Sequence, residues 1–179
     1  MKKITPIILL FITIATFAQN EMFTNNGIII FEASIPLYEE NKAINESVYC
    51  VLNSKTGEFK SLVFIKDFHF KMPLMEEHFN ENYLESNRYP KAIFKGQIQG
   101  FNINNIGTTP KEFKIKGKLE IHGKRKEITS LIVLRKINDT LELVSNFNID
   151  LNDFNIQIPK ILSMKIAETV NIKTSYVLK

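Results

Sequence analysis

The chain has 179 residues, of which 44% are hydrophobic and 23% charged, with a single cysteine and no tryptophan. This length and composition are typical of one globular domain, and one cysteine excludes both an intramolecular disulfide and a cysteine-rich zinc site. The formal charge of +4 includes only three arginines, so we expect no nucleic-acid partner.

Residues 1–18 have the layout of a secretory signal peptide. Lys2 and Lys3 form a positive start, an apolar stretch follows from Ile4 to Phe17, and Ala18 is a small residue suited to cleavage. A membrane anchor is the alternative, but the apolar run is shorter than the roughly 20 residues that a spanning helix needs. We therefore expect cleavage near Ala18, one domain over residues 19–179, and a periplasmic or secreted protein without a transmembrane anchor.

Alternation of apolar and polar residues predicts an all-β domain. In residues 113–121, FKIKGKLEI, apolar residues and glycine alternate with charged residues, as in a strand with one buried face. The same pattern, separated by turn-forming residues, predicts eight strands over residues 27–34, 47–53, 58–70, 92–103, 113–121, 127–135, 141–150 and 164–178. Strands linked by short turns are typical of an antiparallel meander or barrel.

One segment between these strands predicts a helix. It runs over residues 73–85, with Pro73 in the first turn and Met75, Phe79 and Tyr83 at a spacing of four residues on one face. Pro90 prevents the helix from continuing. A single helix of this kind is expected to cover one end of the sheet.

The last predicted strand contains one residue that breaks its pattern. Glu168 has the same parity as the apolar positions of that strand, where a charge is not expected. A β-bulge that changes the register would explain it, and so would an acidic side chain facing a cavity. We favour the bulge.

Residues that could carry catalysis or hold a metal are sparse. The sequence contains no nucleotide-binding glycine motif and no nucleophile elbow. His69 and His78 are nine residues apart, which fits neither a helical nor a strand pair of zinc ligands. Cys50 lies in a predicted strand without a cationic neighbour, so a buried structural role is favoured. We predict no metal, no cofactor and no enzyme, with a hydrolase using His78 beside Glu76 or Glu77 as the alternative.

Aromatic residues supply a different signal. The chain has 14 Phe and 5 Tyr, many of them in the middle of the sequence. A closed sheet of about eight strands has an interior that is either filled by side chains or holds one small ligand. The rings could therefore fill a core or form the wall of an apolar pocket, and periodicity does not decide between the two.

Three stretches match the motifs of one known family. Residues 78–96, HFNENYLESNRYPKAIFKG, resemble a long signature of the YceI-like domain, in the form common among Bacteroidetes. Residues 117–123, GKLEIHG, resemble its hairpin, and residues 147–159, FNIDLNDFNIQIP, resemble a later strand and turn. Their order and spacing also agree, so the resemblance covers the whole mature chain.

The resemblance implies an eight-stranded antiparallel lipocalin-like barrel with a short helix capping one end. It also implies a periplasmic protein that holds a polyisoprenoid or similar long lipid, such as a quinone or polyprenyl chain, and it implies no catalytic residues. On this basis Met75, Phe79 and Tyr83 are expected to close one end of the lumen, with His78 anchoring the helix. Phe94, Leu119, Phe147 and Ile149 are expected to form part of the wall. The alternative is a solidly packed structural or interaction module.

Overall fold

The computed structural model describes residues 20–34, 41–159 and 166–179. The predicted signal peptide lies outside these ranges. The described residues form nine strands: β1 (Glu21–Ser34), β2 (Lys42–Asn53), β3 (Glu58–Phe64), β4 (His69–Phe70), β5 (Lys91–Ile98), β6 (Lys111–Ile121), β7 (Lys124–Ile137), β8 (Thr140–Asp150) and β9 (Ile166–Leu178).

Eight of these strands close into an antiparallel barrel. Their order is β1, β9, β8, β7, β6, β5, β3 and β2. The barrel closes because the last of these strands, β2, also pairs with the first, β1. The short strand β4 pairs with the beginning of β2 at one end. The all-β barrel predicted from alternation and from the family resemblance is therefore confirmed.

The strand predicted over residues 58–70 is wrong as a single element. Between the pairs Tyr49–Leu62 and Ala43–Phe70, this segment advances by two more residues than β2 does. A 3-10 turn at Ile65–Asp67 takes up the excess and divides the segment into β3 and β4. Because positions i and i+3 of such a turn lie on one side, Ile65 and Phe68 both point inward and are buried.

Asn45 holds this turn against β2. Its side chain is fully buried, its Nδ2 donates to the carbonyl of Phe64 over 3.1 Å, and its Oδ1 accepts from the backbone N–H of Ser47 over 2.9 Å. A buried amide is stabilised by such bonds on both of its ends. The interruption of the strand is thus fixed by a side chain on the neighbouring strand.

The predicted three-turn α-helix is also corrected. Helix α1 covers only Pro73–His78, and the chain continues as a π-helical turn over Phe79–Tyr83. The amide of Leu84 donates to the carbonyl of Phe79, five residues earlier, over 2.9 Å. The side chain of Asn80 donates to the carbonyl of Glu76, and such local side-chain bonds compete with regular helical bonding.

Glu168 lies at an irregularity of β9. The register of β9 against β1 shifts between the pairs Glu32–Asn171 and Ser34–Ile166. Glu168 is exposed, while Ile166 and Val170 on either side of it are buried. The structure therefore agrees with the interpretation as a bulge, and this carboxylate does not face the interior.

One half of the barrel is filled by side chains. This half contains the start of β1 and β8 and the end of β2, β7 and β9, and most of its inward residues are aliphatic. Its fully buried residues include Val48, Cys50, Leu52, Leu134, Leu141, Leu143 and Leu178. The other half, next to α1, contains a cavity.

Candidate functional site

The second half of the barrel contains an apolar cavity of about 190 Å³. Its wall comes from residues of seven of the eight barrel strands, all except β2, together with the segments at Ile65–Phe70, Met75–Leu84 and Leu151–Ile158. Aliphatic and aromatic side chains form most of this wall. Among the described residues that line it, no side chain is charged.

The predicted site residues all lie on this wall. Met75, Phe79 and Tyr83 line the cavity from the helical segment, although that segment changes from an α-helix to a π-turn between them. Phe94, Leu119, Phe147 and Ile149 line it from strands β5, β6 and β8. Their contact with a ligand remains a prediction.

Two aromatic residues, each packed against a glycine of a neighbouring strand, form the floor of the cavity. A Cβ atom added to Gly27 would lie 2.5 Å from the ring of Tyr176, and one added to Gly117 would lie 2.7 Å from the ring of Phe94. Both rings therefore pack directly against the backbone at these glycines, where a larger residue would clash with them. Phe59 packs against both rings, with centroid distances of 5.6 Å to Tyr176 and 6.0 Å to Phe94. This aromatic layer separates the hollow half from the solid half.

Four phenylalanines cluster at the opposite end, next to the helical segment. Phe79 is stacked on Phe31 with their ring centroids 5.1 Å apart. Phe68 and Phe70 contact both of these rings at centroid distances between 5.1 and 5.8 Å. The cavity is thus bounded by an aromatic floor and by this group, which we call the Phe lid (Phe31, Phe68, Phe70 and Phe79).

An acidic side chain attaches the start of the helical segment to the barrel. Oε2 of Glu76 accepts from the backbone N–H of Phe70 over 3.0 Å, which ties α1 to β4. His78 is half-buried and does not line the cavity.

A second attachment follows the helix. Glu85 lies 2.8 Å from Nε2 of His122, and Nδ1 of the same imidazole lies 3.2 Å from the carbonyl oxygen of Phe154. Tyr89 packs edge-on against this imidazole, with the ring centroids 4.6 Å apart. This contact joins the segment after the helix to the β6–β7 turn and to the turn after β8.

Burial favours the neutral forms of one thiol and two phenols in the interior. Burial raises the pKa of the Cys50 thiol and that of the Tyr176 phenol far above their usual values, because each charged form would lose its hydration. Burial also raises the pKa of Tyr83. Cys50 therefore behaves as a small buried hydrophobic residue and lacks the activated thiolate of a nucleophile.

Within residues 20–34, 41–159 and 166–179, His, Cys, Asp and Glu do not assemble into a group of three that could hold a metal ion. In that part of the chain no helix has the length and hydropathy required to span a bilayer.

A protein-family comparison identifies this arrangement. The model of the YceI-like domain matches residues 23–178, which includes the helical segment and all of the barrel except the first two residues of β1. The chain belongs to the YceI-like family. A search of curated proteins found no significant match.

Solved structures share the YceI-like fold at low sequence identity. A polyisoprenoid binding domain from Saccharophagus degradans, implicated in plant cell wall breakdown, superposes with a TM-score of 0.78 at 10% identity, over 89% of this chain and 98% of that one. BcnA from Burkholderia cenocepacia gives 0.70 at 15% identity, over 85% and 96%. The YceI protein of Campylobacter jejuni gives 0.60 at 14%, over 74% and 81%. At such identities the likeness concerns the fold.

The long YceI-like signature, residues 78–96, has two roles in this barrel. Phe79, Tyr83 and Phe94 line the cavity. Glu85 and Tyr89 instead contact His122 and hold the loop in place. The motif therefore both shapes the cavity and fixes the segment that covers it.

Several wall residues were missed by the sequence analysis. Phe31 contributes to the Phe lid, Ile132 to the wall, and the hydroxyl side chains of Ser61, Thr174 and Tyr176 face the cavity. Strand alternation does place Ser61 on the parity of Phe59 and Val63, and that was the available signal. It does not separate the residues of the hollow half from those of the solid half.

Proposed function

We propose that the protein binds a polyisoprenoid or another long apolar lipid in the barrel cavity and carries it through the periplasm or outside the cell. The observation that supports this most directly is the apolar cavity between the aromatic floor and the Phe lid. The S. degradans structure, which is of a polyisoprenoid binding domain, supports the same ligand class.

The cavity is suited to bind hydrocarbon without specific contacts. Each methylene group transferred from water into an apolar site contributes roughly 0.8 kcal/mol. A dry apolar cavity of about 150 Å³ admits benzene, so the 190 Å³ of this cavity accommodate a segment somewhat larger than one six-membered ring. We therefore expect the cavity to hold one segment of a long chain. The rest of the chain either extends out of the cavity or enters the barrel after wall side chains move.

Export is the second part of the proposal. Residues 1–18 combine a positive start, an apolar stretch and a small residue at the cut. Expression of the full chain in a Gram-negative host, followed by fractionation and intact mass measurement, tests it. We expect a product that begins near Gln19 in the periplasm or medium. A full-length product retained in the cytoplasm would contradict export.

Extraction tests the ligand proposal. The protein is purified without detergent, extracted with organic solvent and analysed by mass spectrometry, and the ligand-free protein is then offered quinones and polyprenols. We expect a co-purifying apolar lipid, or uptake of one of these lipids. Absence of both would contradict the carrier role.

Two matched variants link any bound lipid to the cavity. Ala92 is buried and lines the cavity, so Ala92→Phe should fill part of it and reduce the recovered lipid. Val144 is 40% exposed on the outer face of β8, so Val144→Phe adds a ring outside and should leave recovery unchanged. Equal recovery from both variants would place the lipid elsewhere on the protein.

A solid structural module and a hydrolase are the competing functions. The hollow half of the barrel disfavours the module, because a packed interior would leave no space of ligand size. Glu76 is engaged with the backbone of Phe70, and none of the three histidines lines the cavity. We therefore propose binding without catalysis.

A further inference from the structure

Five hydroxyl-bearing side chains interrupt the apolar wall near the cavity floor. They are Ser61, Ser130, Ser145, Thr174 and Tyr176. Ser61, Ser145, Thr174 and Tyr176 each have no more than 8% of their surface exposed. Burying a hydroxyl is unfavourable unless it has a hydrogen-bond partner, so the partners of each group decide what this patch can do.

The hydroxyls are contiguous across the barrel. Ser145 on β8 is paired directly with Thr174 on β9, and its Oγ lies 3.2 Å from the Oγ of Ser130 on β7. From β9 the phenol of Tyr176 reaches past Gly27 to Ser61 on β3, with 3.1 Å between the two oxygens. One group therefore extends from β7 to β9 and across the floor to β3.

Part of this patch can form further hydrogen bonds. Ser145 donates to the carbonyl of Leu131, and Ser130 has Ser145 as its partner. Ser61 and Tyr176 share one hydrogen bond, which uses only one of their two hydrogens. Thr174 brings a third hydroxyl, and a second hydrogen bond joins it to the Tyr176 phenol. The two bonds use two of the three hydrogens, so one donor and several lone pairs of this trio remain for another molecule.

We propose that Ser61, Thr174 and Tyr176 form a subsite for an uncharged oxygen at the polar end of the bound lipid. The inference rests on the proposed binding function and adds an orientation and a ligand class. The lipid binds with its hydroxyl or carbonyl oxygen at the floor and with its hydrocarbon part directed toward the Phe lid.

The lack of charge around the cavity selects the class of polar end. Among the described wall residues there is no lysine, arginine or histidine to balance a negative group. An unpaired charge in an apolar interior is far more costly than a hydroxyl that is hydrogen-bonded. Alcohols, phenols and quinones fit this subsite, and phosphates and carboxylates do not.

The test compares two ligands that differ by one oxygen. Geraniol, a short isoprenoid alcohol, and the hydrocarbon with hydrogen in place of its hydroxyl are titrated against protein loaded with the fluorescent apolar probe N-phenylnaphthylamine. The variant is the double substitution Ser61→Ala and Tyr176→Phe, which removes both oxygens and keeps the ring on Gly27. Tyr49→Phe, on the exposed outer face of β2, is the matched control.

We expect the double variant to bind geraniol about fivefold to tenfold more weakly than the wild type does, as for the loss of one or two hydrogen bonds. Its affinity for the hydrocarbon and the affinities of Tyr49→Phe should stay within about twofold of the wild type. Geranyl phosphate should bind wild type more weakly than geraniol does. If the double variant does not fold, Thr174→Val is measured in the same way.

The outcomes separate this inference from the proposed function. If wild type binds the probe and both ligands, but the variant weakens them equally or not at all, the subsite is overturned and the apolar carrier stands. Tighter binding of geranyl phosphate than of geraniol also overturns the uncharged subsite. If wild type binds neither the probe nor either ligand, the carrier and the subsite are both overturned.

Discussion

His122 and Glu85 face each other at 2.8 Å, and both have a left-handed backbone, with φ values of 50° and 44°. Residues other than glycine rarely adopt this conformation, and surrounding contacts must stabilise it. Here the contact joins two loops that are distant in sequence. The segment that covers the cavity is thus held to the barrel by a polar pair.

This pair leads to a prediction about stability. His122→Asn tolerates the positive φ but loses the bridge between Glu85 and Phe154, so we expect the free energy of unfolding to fall by about 1–3 kcal/mol. Glu85→Gln should cost less, because its amide oxygen can still accept from Nε2–H. Urea unfolding measures both. The control is His69→Ala, whose side chain is 71% exposed and whose loss should change little. Equal stabilities for His122→Asn and wild type would contradict the bridging role.

The close packing of Tyr176 against Gly27 predicts that one methyl group added at this glycine strongly lowers stability. In Gly27→Ala the new Cβ would lie 2.5 Å from the Tyr176 ring and 2.9 Å from the carbonyl oxygen of Val48. We expect a loss of about 1–3 kcal/mol in the free energy of unfolding, as for other overpacked interiors, together with weaker binding of an apolar probe. Gly107→Ala is the matched control, since nothing lies within 4 Å of its added Cβ. A Gly27→Ala protein as stable as that control would show that the floor adapts freely.

The Phe lid predicts a change in both stability and ligand size. Phe79→Ala removes the ring that contacts Phe31, Phe68 and Phe70, so we expect a loss of about 3 kcal/mol, near the lower end for such truncations because one side already faces the cavity. The enlarged cavity should also accept bulkier apolar ligands in a displacement assay. Leu74→Ala, on a residue of α1 that is 58% exposed, should change neither property. An unchanged ligand preference in Phe79→Ala would show that the Phe lid is not part of the binding site.

Cys50 predicts a dependence of stability on pH. Its thiol has a raised pKa in the folded protein and one of about 8.5 when unfolded. The folded state therefore retains the proton longer, and its stability falls as pH rises above about 8.5, by up to about 1.4 kcal/mol per pH unit. Cys50→Ala should lack this decline, whereas any decline from buried tyrosines begins near pH 10 and is shared. Urea unfolding from pH 7 to 10 measures the difference, and parallel curves for the two proteins would contradict it.

The sequence alone determined the class of fold and the inward faces of most strands. Alternation depends only on the two-residue repeat of a strand, so it is visible in any one segment, as in residues 113–121. It failed at Ile65–Asp67, where the extra residues are defined only by the register of β2 against β3 and β4. It also missed the π-turn over Phe79–Tyr83, because the four-residue apolar spacing of this segment fits an α-helix and does not reveal the bond from Asn80 to the Glu76 carbonyl.

Only the tertiary structure decided which part of the interior is hollow. Leu143 and Ser145 have the same parity on β8, yet one lies in the filled half and the other on the cavity wall. The boundary between them is the layer in which Tyr176 covers Gly27 and Phe94 covers Gly117. These contacts join residues from different strands across the barrel, so the space left between side chains depends on all the strands at once. The sequence of one strand indicates the direction of each side chain. It does not indicate which side chains of other strands fill the space opposite.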